Sequence, residues 1–258
     1  MGQDRREKRG WSLAVCVVVL RPLLMALTRR SFRGAEHLPR GGFVFAANHI
    51  SHADPLLFAH FVNDTGYSPH FLAKASVLNV PVLGRFLRST GQIPVQRGGA
   101  EAAQAYRDAV LAVGRGDSVI VYPEGTITRD PDLWPMVGRT GAARIALETG
   151  CPVIPCAQWG AHEILPPYTK TPHLWPRKVN RVQAGPPVDL SDLQSRPVTA
   201  DVLRQATDRI MGAIAEQLAE IRGEPVPAER FDPRRRDLPA TGNPAPPGHE
   251  IRPTGEPE

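Results

Sequence analysis

The chain has 258 residues, which is enough for one domain with a well-formed core and shorter appended segments. Its formal net charge of +5 and isoelectric point near 9.4 favour an anionic partner. Nucleic acid is not predicted as that partner, because no zinc-finger spacing or other nucleic-acid-binding signature is present and only 6% of residues are aromatic. The three cysteines lack metal-ligand spacing, and their odd number favours reduced thiols over a disulfide framework.

The first 34 residues have the composition of a segment that contacts a membrane. An apolar run from Trp11 to Leu27 is interrupted by Arg21 and Pro22. Its 17 residues are at the short limit for crossing a bilayer, and a central arginine would cost about 3 kcal/mol there. We therefore predict an interfacial helix, or a helical pair kinked at Pro22, whose arginines reach anionic headgroups. The alternative is a core helix packed on the domain. The flanking basic residues are Arg5, Arg6, Lys8, Arg9, Arg29, Arg30 and Arg33.

Residues 35–223 alternate between short apolar runs and helical periodicity, which predicts an α/β domain with a single sheet and flanking helices. Thr199 is a predicted N-cap of the last helix. Strands are predicted over 43–47, 70–73, 92–95, 118–122, 153–157 and 179–184, and helices over 55–62, 100–113, 142–149 and 200–222.

Residues 224–258 differ in composition from the domain before them. They contain nine prolines and few large apolar side chains, so a disordered tail is predicted.

The strongest chemical signal is the run Asn48-His49-Ile50-Ser51-His52-Ala53-Asp54, which lies between a predicted strand and a predicted helix. Across such a turn, Asp54 can hydrogen-bond one imidazole nitrogen of His49 and leave the other free to accept a proton. Ser51 is a poor nucleophile candidate, because two residues of separation from His49 give unfavourable geometry and no Gly-x-Ser-x-Gly elbow is present. An external hydroxyl activated by His49 fits better.

Three further blocks follow along the chain. In Gly91-Gln92-Ile93-Pro94-Val95-Gln96-Arg97, Arg97 comes just after a predicted strand, where a guanidinium can bind phosphate bidentately. Tyr122-Pro123-Glu124-Gly125-Thr126 lies at the carboxyl end of another strand, where α/β sheets place their sites. The fourth block is Val153-Ile154-Pro155-Cys156.

In this order, across residues 48–156, the four blocks resemble the glycerolipid acyltransferase family, which includes 1-acylglycerol-3-phosphate acyltransferases. The resemblance implies that His49 is the general base and Asp54 its orienting carboxylate. It also implies phosphate or glycerol contacts from Arg97, Glu124, Gly125 and Thr126. The implied reaction moves an acyl group directly from acyl-CoA or acyl carrier protein to a lysophospholipid hydroxyl in phospholipid biosynthesis, giving phosphatidic acid, with no cofactor beyond the thioester.

Two departures from the family pattern leave the acceptor headgroup open. Ile127 stands where many members have an arginine, and Arg129 follows two residues later. A lysine that is common in the family is replaced in this chain around Met136 to Gly141, where Arg139 is the nearest cation. Lysophosphatidic acid is the favoured acceptor; another lysophospholipid or a glycolipid is the alternative, and a lipid hydrolase is a lesser one. Asn48, Ser51 and Lys74 are auxiliary candidates.

A metal site is not predicted. His49, His52 and Asp54 form a set that resembles a metal-binding motif, but the spacing departs from His-x-His-x-Asp-His and Pro55 replaces the last histidine. The predicted location is the cytoplasmic face of the cell membrane, with an anionic membrane surface as the partner. Core packing is the expected role of Trp134, Trp159 and Trp175, and the alternative is that they face the membrane or line an acyl channel.

Overall fold

A computed structural model of the protein describes residues 11–74, 89–95 and 99–236. Within these residues, seven strands form one sheet with the order β1-β7-β6-β2-β5-β3-β4. All neighbouring strands are parallel except β6 and β7, so the β1–β7 pair runs against the other five. The strands are β1 (Thr28–Arg33), β2 (Phe43–Ala47), β3 (His70–Lys74), β4 (Ile93–Val95), β5 (Ser118–Val121), β6 (Val153–Trp159) and β7 (Lys178–Ala184).

The α-helices of the described chain are numbered in order. Thr199 caps the last of them, as predicted, by accepting a hydrogen bond from the amide of Val202 at 3.3 Å. The helices are α1 (Trp11–Leu27), α2 (Asp54–Asp64), α3 (Gly99–Gly114), α4 (Gly141–Thr149), α5 (Ala161–Ile164), α6 (Ser191–Gln194) and α7 (Ala200–Arg222), and two short 3-10 helices cover Ala35–His37 and Pro233–Arg236.

The central strand β2 is buried on both faces and separates two apolar layers. Val44 and Ala46 face a core packed by α3, α4 and α7, whereas Phe43 and Phe45 face an aromatic core packed by α2. This alternation explains why β2 has a continuous apolar sequence, as is typical of strands covered on both sides. The predicted α/β class and single sheet are confirmed.

Strand β1 was missed by the sequence prediction, which assigned residues 1–34 to membrane contact. Thr28–Arg33 pairs with β7, so the sheet begins at residue 28 and not at 35. The sequence Thr-Arg-Arg-Ser-Phe-Arg hides a strand because β1 is an edge strand whose arginines remain exposed.

The N-terminal segment contains one continuous helix, α1, with Pro22 inside it, which corresponds to the single helix of the two predicted forms; its place at a membrane interface stays a prediction. None of the helices in the described ranges combines the length and the apolar character that a membrane-spanning helix requires. Arg21 and Arg30 were predicted to reach headgroups, but both pair with Asp64 at the end of α2. They therefore fasten α1 and β1 to the domain.

The first part of the predicted disordered tail packs on the domain. Phe231 accepts a hydrogen bond from the amide of Val137 at 2.9 Å, and Arg230 pairs with Asp208 on α7. Pro233 is buried. The prediction of disorder is therefore wrong for residues 224–236, and residues 237–258 lie outside the described part of the chain.

Candidate active site

Two loops meet at the carboxyl edge of the sheet because β2 and β5 are parallel neighbours in register. Phe43 pairs with Ser118 and Ala46 with Val121, so the segments that follow both strands emerge side by side. The first segment runs from 48 to 54 and the second from 122 to 128. His49 accepts the amide of Thr128 through its carbonyl oxygen at 2.7 Å, which fixes one loop against the other. This edge is where α/β sheets place their sites.

His49 and Asp54 form the hydrogen-bonded pair that the sequence predicts. The Nδ1 atom of His49 lies 2.8 Å from Oδ2 of Asp54. The Asp54 side chain is fully buried and that of His49 is 16% exposed. With the proton on Nδ1, the imidazole donates to the carboxylate and keeps a lone pair on Nε2. The arrangement is a partly accessible base whose tautomer is fixed by a buried acid.

The carboxylate of Asp54 also shapes the turn that carries His49. Its Oδ2 atom accepts amide hydrogen bonds from Ile50 at 2.6 Å and Ser51 at 2.8 Å. Asp54 is also the first residue of α2, where a negative charge interacts favourably with the helix dipole. One side chain therefore holds the imidazole, the turn and the helix start in a fixed relation.

The ring of His49 stacks on Tyr122. The two ring centroids are 4.4 Å apart and the planes are inclined by 18°. Burial raises the pKa of Tyr122 well above 10, so its hydroxyl stays protonated. The phenol ring limits the movement of the imidazole on the side that Asp54 does not contact.

Glu124 is buried beneath the two loops and braces them. Its Oε1 accepts the amide of His49 at 2.9 Å, and its Oε2 accepts the amide of Met136 at 3.1 Å. Burial raises the pKa of Glu124 to about 8, against the opposing effect of these amide hydrogen bonds. The side chain is 2% exposed, so it supports the backbone of the site and does not present a carboxylate to the solvent.

Asn48 and Ser51, both auxiliary candidates, have structural hydrogen bonds. Asn48 exchanges amide hydrogen bonds with Gln158 on β6: its Nδ2 donates to the Gln158 carbonyl at 3.1 Å and its Oδ1 accepts the Gln158 amide at 2.8 Å. The Ser51 hydroxyl donates to the carbonyl of Leu165 at 2.6 Å and accepts the amide of Ala53 at 3.0 Å. These contacts join the His49 turn to β6 and to the segment after α5.

The loop after β5 has one exposed and one buried arginine. Gly125 has φ = +70°, and a Cβ placed there would lie 2.8 Å from Nε of Arg139, so the exposed Arg139 side chain lies directly against this glycine. Arg129 is buried, 6% exposed, and interacts with Tyr168. Thr126 is half-buried in the same loop and also hydrogen-bonds Tyr168.

Tyr168 is a site residue that the sequence prediction missed. Its hydroxyl donates to the carbonyl of Ile127 at 2.8 Å, and its backbone has φ = +61°, which is rare for a bulky residue. Tyr122 and Gln158 were also missed as contributors. Tyr122 belongs to a block that the sequence prediction recognised, but stacking between rings 73 positions apart leaves no local pattern, and Tyr168 lies in a loop without periodicity.

Two predicted site residues are outside what can be described. Arg97 lies outside the described residues. Lys74 is the last residue of β3, but its side chain is not among those that the structure describes. Their assigned roles remain predictions. His52 is exposed on the turn, and no group of three or more potential ligands in the described parts of the chain is arranged to hold a metal ion.

The model of a family described as "Acyltransferase" matches residues 29–159, just over half of the chain. The matched range contains His49, Asp54 and the loop after β5. The chain belongs to the acyltransferase family. This membership confirms the resemblance that the four sequence blocks indicated.

Named relatives of this acyltransferase differ in the acceptor that their names give. A chloroplastic 1-acyl-sn-glycerol-3-phosphate acyltransferase of Brassica napus is 30% identical over 141 residues, which is 54% of this chain and 39% of the relative. A Borreliella burgdorferi protein of the same activity is 34% identical over 47% of this chain and 48% of its own length. A lyso-ornithine lipid O-acyltransferase of Pseudomonas aeruginosa is 31% identical over 48% of this chain and 46% of its own length. The chain thus spans less than half the length of these relatives.

A solved structure shares the fold of this acyltransferase. The 1-acyl-sn-glycerophosphate acyltransferase PlsC of Thermotoga maritima superposes with a TM-score of 0.62 over 85% of each chain. Its sequence identity is 24%. At this identity the likeness shows a shared fold.

Proposed function

We propose that the protein transfers a fatty acyl group from a thioester to the free hydroxyl of a lysophospholipid, with 1-acylglycerol-3-phosphate as the favoured acceptor. The observation that carries this proposal is the 2.8 Å contact between His49 Nδ1 and the buried carboxylate of Asp54. The thioester is acyl-CoA or acyl carrier protein, and it is a co-substrate, not a resident cofactor.

In the proposed reaction, Nε2 of His49 accepts the proton of the acceptor hydroxyl as its oxygen attacks the thioester carbonyl. Asp54 keeps its hydrogen bond to Nδ1–H and stabilises the imidazolium that forms. Collapse of the tetrahedral intermediate breaks the C–S bond, and His49 returns the proton to the leaving sulfur. The products are the acylated lipid and the free thiol, with His49 restored.

Direct transfer is favoured over a covalent acyl-enzyme because Ser51 is engaged and the cysteines of the described β6 region are buried. The Ser51 hydroxyl already donates a hydrogen bond to the carbonyl of Leu165. Within the described part of the chain, it makes no hydrogen bond to His49. Cys151 and Cys156 are buried, and burial raises the pKa of both thiols, which disfavours the reactive thiolate.

Arg139 is the cation that we assign to the acceptor headgroup. It is exposed at the carboxyl edge and lies against Gly125, in the loop that also carries Thr126. A guanidinium there can bind phosphate through charge-assisted hydrogen bonds. Arg97 remains a second proposed phosphate contact.

A different lysolipid acceptor is the second candidate. Ile127 replaces a frequent family arginine, and Arg129 is buried against Tyr168, so this part of the loop presents less positive charge than the family pattern implies. One relative is named for a lyso-ornithine lipid, which is consistent with such an acceptor.

The test is a product analysis with purified protein in detergent. Labelled acyl-CoA or acyl carrier protein is offered together with lysophosphatidic acid, phosphodiester lysolipids and lyso-ornithine lipid, and the products are identified by mass spectrometry. Phosphatidic acid formed faster than the other products supports the proposal. Preference for another acceptor selects the second candidate, and release of free fatty acid alone would indicate a hydrolase.

We also propose that the protein works at the cytoplasmic face of an anionic membrane. Support comes from α1, whose exposed apolar side chains repeat at helical spacing: Val15, Val18, Val19 and Leu23.

A further inference from the structure

Residues 165–177 form a loop, called here the Trp175 loop, that connects the His49 turn to α1. At its start, the carbonyl of Leu165 accepts the Ser51 hydroxyl at 2.6 Å. At its end, Nη2 of Arg177 donates to the carbonyls of Met25 and Thr28 at 2.6 and 2.8 Å. Both ends of the loop are therefore fixed, one at the candidate active site and the other at the end of α1.

The tip of the Trp175 loop exposes two large apolar side chains. Trp175 is 83% exposed and Leu174 is 42% exposed, which makes Trp175 the most exposed large hydrophobic residue of the described chain. By contrast, Trp134 is 6% exposed. The expectation of core packing is therefore wrong for Trp175. An indole in water loses the stabilisation of about 25 cal/mol per Å² that burial would provide.

The segment of sequence that carries the tip has charges of a single sign. No acidic residue occurs between Glu163 and Asp189, a stretch that contains four Lys or Arg residues. Segments that combine tryptophan with basic residues are typical of polypeptide that binds at the headgroup level of an anionic leaflet. The four basic residues are Lys170, Arg177, Lys178 and Arg181.

The Trp175 loop is tied to the end of α1, a helix that carries exposed apolar side chains. Leu24, Leu57 and Ile164 belong to one small buried cluster that joins α1, α2 and α5. The exposed Leu23, Met25 and Leu56 adjoin members of that cluster in sequence, and Arg177 ties the Trp175 loop to Met25.

We propose that the Leu174–Trp175 tip inserts into the same anionic phospholipid leaflet as α1 and forms a second attachment of the protein to the membrane. The buried cluster joins α1 to α2, and α2 begins at Asp54 of the His49 turn. This inference extends the proposed function, because it holds the candidate active site at the surface from which a lysolipid would enter.

The decisive test is quenching of tryptophan fluorescence by vesicles of phosphatidylcholine and phosphatidylglycerol with brominated acyl chains. Trp11→Phe serves as the background, because it removes the indole of α1 and leaves Trp175 as the exposed one. We expect quenching in this background and its loss after the further change Trp175→Phe. Equal quenching with and without Trp175 would overturn the proposal.

A second measurement uses co-sedimentation with unbrominated vesicles of the same composition. Leu174→Ser with Trp175→Ser should weaken binding about tenfold, which corresponds to about 1.4 kcal/mol. The matched control is Leu111→Ser, which removes a side chain that is 59% exposed on α3, across the sheet from α2. Unchanged vesicle binding, or displacement of the vesicles by a DNA duplex, would refute the membrane contact.

Neither measurement depends on turnover. A protein that binds vesicles through Trp175 but transfers no acyl group would contradict the proposed function alone. A protein that transfers acyl groups in detergent but keeps full vesicle binding after loss of Trp175 would contradict the second attachment alone.

Discussion

Asp54 is the residue on which the candidate site depends most, because one carboxylate oxygen binds the imidazole of His49 and the amides of Ile50 and Ser51. Replacement by asparagine keeps the size of the side chain but removes the charge that stabilises an imidazolium. An amide oxygen in the place of Oδ2 would accept the same three hydrogen bonds more weakly than a carboxylate oxygen, and an amide NH2 group there would face N–H donors.

We expect His49→Ala to lower kcat for acyl transfer by about 10²–10⁴-fold, the usual contribution of a general base. Asp54→Asn should also lower kcat for acyl transfer. Steady-state assays with saturating acyl donor would measure both effects. His37→Gln is the matched control, since His37 lies in the 3-10 helix that precedes β2, at the other end of that strand. Near-normal turnover by His49→Ala with a normal melting curve would reject the mechanism.

Glu124 predicts a pH dependence of stability. Its pKa is raised from 4.5 to about 8 in the folded protein, so the folded state holds a proton that the unfolded state releases between these values. The contribution to stability is therefore fully present below about pH 4.5 and is lost as the pH rises toward 8. Relative to Glu124→Gln, the wild type should lose up to about 1.4 kcal/mol of unfolding free energy per pH unit in this window.

Urea denaturation at pH 5, 6, 7 and 8 measures this difference, because all other titrating groups are common to both proteins. Glu124→Gln should also be less stable at pH 5, since an amide nitrogen would face one of the two backbone N–H donors. If the unfolding free energies of the two proteins changed with pH by the same amounts, Glu124 would not titrate with a raised pKa.

Arg139 predicts how the acceptor is bound. Arg139→Gln should raise KM for lysophosphatidic acid by about tenfold or more and leave KM for the acyl donor nearly unchanged, because a charge-assisted contact contributes about 1.5–3 kcal/mol. The control is Arg115→Gln, an exposed arginine just before β5 at the opposite edge of the sheet. Equal KM values for wild type and Arg139→Gln would exclude this arginine from the headgroup site.

At the residue scale, the sequence predicted a contact between residues close together in the chain and missed contacts between residues far apart in it. His49 and Asp54 are five positions apart in one turn, so their spacing alone indicates a hydrogen bond. The stacking of Tyr122, the bracing by Glu124 and the hydroxyl contact of Tyr168 depend on strand pairing and loop packing, which no short pattern encodes.

At the scale of elements, α1 combines an exposed apolar stripe with fixed attachments to the domain. Arg21 and Arg30 pair with Asp64, while Val18 and Val19 are 72% and 62% exposed. Although burial raises the pKa of Asp64, the hydrogen bonds from both arginines and the charge of His60 lower it below its ordinary value, so the carboxylate stays charged. The helix is therefore held by these polar contacts and by the buried Leu24, and it leaves its apolar stripe uncovered.

Val18→Ser with Val19→Ser should move the protein from the membrane fraction toward the soluble fraction without lowering its melting temperature, because neither side chain is buried in the domain. This change is cleaner than deletion of residues 1–30, which would also remove half of β1. Leu111→Ser with Val198→Ser serves as the control, since both side chains are exposed outside α1. A shift of equal size in the control would show that the effect is not specific to α1.

The elements themselves were largely predictable where the chain is apolar. Strands β2 and β6 and helix α7 follow from buried runs and from helical spacing, and their observed bounds agree with the prediction to within two residues. The exceptions are polar. Edge strand β1 has no apolar alternation, and the proline-rich residues 224–236 pack through backbone and arginine contacts that composition does not reveal.

At the scale of the whole molecule, 31 basic residues exceed 26 acidic ones. Electrostatic attraction to an anionic surface is screened over about 10 Å at 0.1 M salt. Binding to vesicles that contain phosphatidylglycerol should therefore weaken as sodium chloride rises from 0.05 to 0.5 M, roughly tenfold or more. Co-sedimentation measures it, with phosphatidylcholine vesicles as the control, and equal binding at all salt concentrations would show that apolar insertion alone holds the protein.

The pairing of β1 with β7 has a consequence for the order in which the molecule is made. Thr28 lies beside Lys178, and 178 − 28 = 150 residues separate them in the chain. At a synthesis rate of about 5–20 residues per second, α1 and β1 precede their partner strand by roughly 8–30 s. During that interval α1 is available to a nearby membrane before β7 exists to pair with β1, so the proposed attachment to the bilayer would come ahead of closure of the domain.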